Sequence, residues 1–213
     1  DAEILIQQGN NTAALDLLNQ AIYLNDNNIE AYKFRGSIRL ILEQQIPRER
    51  DRDYIGLIND YTNAIRIAER RIALTPRHSQ ERKELEKEMA KILINRAYVK
   101  LQTGRMAGFY SAIEDYNEAV KNDDQNWDGF LGRAVAHNRI RDYRREVNDY
   151  LRAIELLRRH EVRMTDREWS EMYYMVAVAY VNLRDSRNAY DYATRSFNLG
   201  NANAESIMDR NRP

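Results

Sequence analysis

Apolar positions along this chain recur with the period of an amphipathic helix, and no segment sustains the period-two alternation of a strand. From Thr12 to Leu24 the residues Ala14, Leu15, Leu17, Leu18, Ala21, Ile22 and Leu24 fall on one helical stripe. Asn25-Asp26-Asn27-Asn28 interrupts it, and a second helix is predicted from Ile29 to Leu42. Beyond Asp53, the residues Tyr54, Leu57, Ile58, Tyr61, Ala64, Ile65, Ala68 and Ile72 keep the helical spacing. They predict a helix of about 33 Å at 1.5 Å per residue. Thr75-Pro76 ends it, because Pro cannot continue a helix yet suits the first turn of the next. The following helix, Ser79 to Thr103, carries Leu85, Met89, Ile92 and Leu93 and approaches 38 Å by the same rise, roughly. Later breaks fall at Thr103-Gly104, Asp123 to Asn126, Arg141-Asp142, Arg184-Asp185 and Gly200-Asn201, and Thr165 with Glu168 has capping-box spacing. The chain reads as all-α.

Small residues punctuate these stripes at fixed offsets. In Ala112-Ile113-Glu114-Asp115-Tyr116-Asn117-Glu118-Ala119-Val120, two alanines flank a tyrosine on one face. Ala14 and Ala21 flank Leu18 in the same way, and Ala189 and Ser196 flank Ala193. Glu146 replaces the first small residue before Tyr150 and Ala153, and Arg71 replaces the second after Ala64 and Ala68. Gly36, Ala97, Ala134 and Ala177 are the small residues of the alternate helices. This register resembles the tetratricopeptide repeat (TPR), a unit of about 34 residues in two antiparallel helices that cross at small residues. Gly9 and Gly104 match that family's turn glycine, and Pro76 its terminal proline. With Ala14, Ala64, Ala112, Glu146 and Ala189 taken as equivalent, the separations are 50, 48, 34 and 43 residues, so three intervals carry insertions.

The resemblance implies a right-handed α-solenoid of about five TPR-like helix-turn-helix repeats, with one pair of helices extended. It implies one repeat domain over residues 1–213, the first and last repeats incomplete: Asp1 to Gln8 supplies half a helix, and Ala204 to Met208 begins another. Glu43 to Asp53, with Pro47 and the alternating charges Arg48-Glu49-Arg50-Asp51-Arg52-Asp53, reads as a solvated loop. The long helices from Asp53 to Thr103 are expected to project beyond the ordinary layer as a docking ridge or a contact between copies.

Charge and composition narrow the function. Thirty-three basic and 33 acidic residues balance, which argues against a nucleic-acid binder that neutralises phosphates. Arg141, Arg144, Arg145 and Arg152 are interleaved with Asp142, Glu146 and Asp149. No run of eighteen apolar residues is present, so no membrane span is expected, and no signal-peptide pattern opens the sequence. With no cysteine, disulfides, thiolate metal sites and cysteine nucleophiles are excluded, while the compartment stays open.

Local motifs for chemistry fail on inspection. Asp124-Gln125-Asn126-Trp127-Asp128-Gly129 matches half of a calcium loop, but Val135 stands where the twelfth-position acid belongs. His78, His137 and His160 lie in different repeats without ligand spacing. Phosphate-cradling and serine-elbow glycine motifs are absent. The expectation is a binding module, not an enzyme, without cofactor or metal.

The family resemblance also places an inner face on the first helix of each repeat. In this chain that line runs through Lys33, Phe34 and Ser37, then Lys91, Ile94, Asn95 and Tyr98. It continues through Leu131, Val135 and Asn138 to Tyr174, Met175, Val178 and Asn182. Apolar sockets beside amides suit a peptide or partner helix, with Tyr98, Tyr174 and Phe34 as anchors and Asn95, Asn138 and Asn182 as orienting groups. One TPR subgroup clamps a chaperone's terminal carboxylate with Lys and Asn residues and third-repeat cations. Lys33 and Asn95 match two of its sites, but Ser37, Asp128 and Gly132 depart from it, so the clamp is not carried over. Protein partners are expected, and self-assembly of the chain is the alternative.

Overall fold

The computed structural model describes residues 2–47, 52 and 54–212, and among these there is no strand. The helices are α1 (Ala2–Gln7), α2 (Asn11–Leu24), α3 (Ile29–Gln44), α4 (Ile55–Leu74), α5 (Gln80–Gln102), α6 (Met106–Asn122), α7 (Trp127–Arg139), α8 (Tyr143–Arg159), α9 (Asp166–Asn182), α10 (Ser186–Asn198) and α11 (Glu205–Asn211). Of the loop expected over Glu43 to Asp53, Glu43 and Gln44 belong to the end of α3, and residues 48–51 and 53 lie outside the described residues. The all-α reading holds, and the extended pair is α4 and α5, of 20 and 23 residues. At 1.5 Å per residue they span about 30 and 35 Å.

Short polar side chains start the helices where the sequence breaks. Asn10, Asn28, Ser79, Asn126, Asp142 and Asp185 each accept a hydrogen bond from a backbone N–H of the first turn. Thr165 and Glu168 close the full capping box. The half-match to a calcium loop is part of this pattern: α7 begins at Trp127, and Gly129 is buried in its first turn. Gly9 and Gly104 turn the chain at φ of +76° and +67°. Arg141 and Arg184 hold the same left-handed geometry in later turns without glycine's freedom.

The chain divides into two compact units, Asp1–Asp124 and Gln125–Pro213. In the first, α1 packs on α2, α2 on α3, α3 on α4, α4 on α5 and α5 on α6. Its larger core gathers Tyr32, Leu57, Tyr61, Ala64, Ile92, Leu93 and their neighbours. In the second, α7 packs on α8, α8 on α9, α9 on α10 and α10 on α11. There Ala134 shares a core with Tyr150, Tyr173 and Val176, while Ala177 packs with Ala189, Ala193 and Ile207. Every small residue assigned to a helix crossing is buried except Ala21, which is half-buried.

One part of the register differs from the sequence reading. Gly36 faces Tyr61: a Cβ added there would lie 3.0–3.3 Å from three ring atoms. The residues of α4 equivalent to Ala112, Tyr116 and Ala119 are therefore Leu57, Tyr61 and Ala64, seven residues (two helical turns) earlier than the assignment to Ala64, Ala68 and Arg71. Arg71 is no crossing residue, being exposed and donating to the carbonyl of Asn27 at 3.1 Å. Because the Tyr61 ring is 1% exposed and cannot swing away, Gly36→Val is expected to destabilise the protein by about 1–3 kcal/mol through overpacking. Urea unfolding checks this, and an unchanged midpoint would remove Gly36–Tyr61 as the crossing point.

Candidate functional site

The corrected register brings out a repeated ion pair that locks each of three helix pairs. Arg35, Arg96 and Arg133 each precede the small residue of the first helix, and Asp60, Asp115 and Asp149 each precede the tyrosine of the second. Arg35 Nη2 meets Asp60 Oδ1 at 2.6 Å. Arg96 grips both oxygens of Asp115 at 2.7 and 2.9 Å, and Arg133 does the same to Asp149. All three aspartates are buried. Four residues after each arginine stands a second basic group: Arg39 Nη1 reaches Asp60 at 2.6 Å, Lys100 Nζ reaches Asp115 at 2.7 Å, and His137 Nε2 lies 3.8 Å from Asp149. Burial lowers the His137 pKa against the pull of Asp149, so this third site has the weaker second cation. In the next pair Val176 replaces the arginine, and Tyr180 in the second basic position stacks on Tyr192 at 5.7 Å instead. These pairs fix three of the helix hairpins and hence the face that the first helix of each presents.

In the first unit that face has α3 beside α5. Lys33 donates to Glu30 at 2.7 Å and to Glu88 at 2.9 Å, joining the two helices. Burial alone would lower its ammonium pKa, but these two carboxylates outweigh burial and hold it above the usual value. Ser37 donates to the Lys33 carbonyl at 3.1 Å and lies 3.3 Å from the Tyr61 hydroxyl. Phe34 packs on the core of α2 and α3, and Ile94 on that of α4 and α5. Lys91, Asn95 and Tyr98 are exposed, and their spacing sets them along one face of α5.

In the second unit a cavity of about 290 Å³ opens among α7, α8 and α9. Its lining includes Val135, Asn138, Tyr174, Met175 and Val178, five of the residues expected on the inner face. Leu131 instead packs into the adjoining core, and Asn182 is exposed at the end of α9. Three further lining residues were not expected there: Glu146, Tyr150 and Arg139. Tyr150 is 3% exposed, and its hydroxyl donates to Met175 Sδ at 3.6 Å. Glu146 is 2% exposed. Its Oε1 accepts from Asn138 Nδ2 at 3.0 Å, while its buried Oε2 has no partner. Burial pushes the carboxyl up to about 7 despite the Asn138 bond, and burial beside Glu146 likewise raises the Tyr150 phenol. The sequence did carry a signal for Glu146: an acid occupies a place where neighbouring repeats have a small residue. Asn138 is therefore not a free amide but the group that holds this acid.

No protein-family model and no curated protein matches the chain. Solved structures do. The crystal structure of MamA superposes with a TM-score of 0.65 at 13% identity, over 96% of each chain. YrrB, described as a TPR protein with an unusual peptide-binding site, gives a TM-score of 0.66 at 10% identity, over 98% of this chain and 88% of its own. Acl4, an assembly chaperone of RpL4, gives 0.63 at 8% identity, over 99% of this chain and 79% of its own. The helix pairs, the small residues at their crossings and these superpositions agree: the chain has the all-α fold of the tetratricopeptide-repeat solenoid proteins.

Proposed function

We propose that this chain is a protein-interaction scaffold that receives a peptide or partner helix on the inner faces of its repeats. The observation that carries this reading is the cavity among α7, α8 and α9, where Val135, Tyr174, Met175 and Val178 form an apolar socket beside the amide–acid pair Asn138 and Glu146. Concave, mostly apolar pockets with a few polar groups are the usual form of ligand sites. At about 290 Å³ this one lies at the small end of their range and suits a single inserted side chain. In the first unit, Lys91, Asn95 and Tyr98 form an exposed strip along α5 that serves the same purpose, with Tyr98 40% exposed as its anchor. Lys33, Phe34 and Ser37 border it as supports, since their polar groups are engaged within the protein or their rings are packed. Peptide binding by YrrB, as its description states, is compatible with this use of the fold.

Peptides selected against the chain from a random-sequence library test the proposal. Tyr174→Ala is expected to weaken their binding by about tenfold, the scale of an aromatic anchor in a pocket, while the helical circular dichroism is unchanged. If every selected peptide bound the variant as tightly as the parent, the socket would not be the binding site.

A further inference from the structure

We infer that the cavity among α7, α8 and α9 takes up an alkylammonium group, the lysine side chain of a partner peptide, with Glu146 as its counter-charge. This rests on the peptide-binding reading above and names the chemistry that the socket selects. Three observations converge on it.

First, Glu146 Oε2 is buried and has no hydrogen-bond partner, although Glu146 lines an open cavity. A buried carboxylate is stable in its charged form only when paired, so the group that completes this site is a donor, preferably a positive one. Among the described residues no cation pairs with this oxygen: Arg139 lines the same cavity but is exposed, and Oε2 has no partner. Second, the walls match a long aliphatic stem. Val135, Val178 and Met175 offer apolar surface, and the Tyr174 ring can lie against methylenes next to a cation. Third, one oxygen of the carboxylate is already held by Asn138. That leaves a single free acceptor, which suits the point charge of an ammonium better than the two-pronged guanidinium. An apolar side chain would fill the space but leave Oε2 unpaired, and a neutral amide would bring a donor without compensating the charge.

Around the carboxyl, Asn138 and Arg139 come from α7, Tyr150 from α8 itself, and Tyr174 and Met175 from α9. None is a carboxylate, so a proton on the empty Glu146 stays with it and is not shared with a second acid. Its elevated pKa fits a site that is neutral when empty and charged when the ammonium is bound.

The probes are n-butylammonium chloride and 1-butanol, alike in shape and different in charge. The readouts are the Met175 methyl resonance and the carboxyl carbon of Glu146 in the full chain. Butylammonium is expected to shift the Met175 methyl saturably and to lower the Glu146 proton affinity by about tenfold or more, one pKa unit or greater. Butanol should do neither at equal concentration. Glu146→Gln keeps the bond to Asn138 possible and removes the charge, so butylammonium binding should fall by about tenfold, one unit of the same linkage. Equal effects of the two probes on the wild-type protein would overturn the inference, whatever the variant's folding. So would undiminished butylammonium binding to a folded Glu146→Gln protein. Peptide capture that still depends on Tyr174 would in that event leave the broader reading standing, whereas its independence of Tyr174 would end both.

Discussion

Replacing Asp60 by alanine is expected to destabilise the protein by about 3–5 kcal/mol. Asp60 is 1% exposed and serves two guanidinium groups, Arg35 at 2.6 Å and Arg39 at 2.6 Å. Truncation leaves Arg35, whose side chain is only 15% exposed, at the crossing of α3 and α4 without its counter-charge. Arg39 is one-third exposed and can turn toward water, so the penalty falls mainly on Arg35. A surface pair such as Arg167–Glu171, where both side chains are exposed, should change stability by less than about 1 kcal/mol when broken. Urea denaturation of Asp60→Ala and Glu171→Ala separates these cases. Equal losses would show that the Arg35–Asp60 pair is not what holds the hairpin.

The same comparison across repeats gives the ion pairs a direction. Asp60 and Asp115 each have a second permanent cation, Arg39 and Lys100, whereas Asp149 has only His137, whose pKa burial lowers. The middle hairpins are therefore held by full charge networks. The hairpin of α7 and α8, which carries the proposed socket, is held by a single arginine.

Much of this fold was legible in the chain, because most helices carry two signs: an apolar stripe and a short polar capping residue at the break before them, the latter lacking at α4, α6 and α11. The buried alanines at positions 14, 97, 112, 134, 177 and 189 confirm that small residues mark close helix approach. Spacing alone misplaces the register of α4, because Ala64 can stand as either the first or the second small residue of the pattern and Ala68 is small as well. The dipeptide Asp60-Tyr61, shared with Asp115-Tyr116 and Asp149-Tyr150, resolves it, since the aspartate needs the arginine before the facing small residue. Charge alone does not mark these aspartates as interior, yet all three are buried. The socket was half legible. A helix position predicts which side chains face inward, so Val135, Asn138, Tyr174 and Val178 were placed together. It does not predict that Asn138 bonds Glu146 or that Lys33 bonds Glu88, because such pairs depend on side chains meeting across elements far apart in sequence.

Glu146 should also make the protein's stability depend on pH in the direction opposite to most carboxylates. Its pKa is about 7 in the folded chain against an ordinary 4.5. Below about pH 4.5 the group is protonated whether the chain is folded or not, and it contributes no difference. As pH rises from there, the unfolded chain releases this proton first, so the folded state is progressively disfavoured until the folded group ionises as well, near pH 7. The shift corresponds to about 3 kcal/mol lost across that window. Glu146→Gln removes this dependence while leaving every other titrating group in place. The variant is therefore expected to gain on the wild-type protein between pH 5 and pH 8, by about 3 kcal/mol in urea-derived stability. Parallel stability curves for the two proteins would mean that the carboxyl titrates normally and is not confined in the socket. A bound alkylammonium changes the sign of the argument: by favouring the carboxylate it lowers the folded pKa, and stability at pH 8 should recover in proportion to occupancy. The acid that weakens the empty hairpin of α7 and α8 is then the group through which a cationic partner would strengthen it.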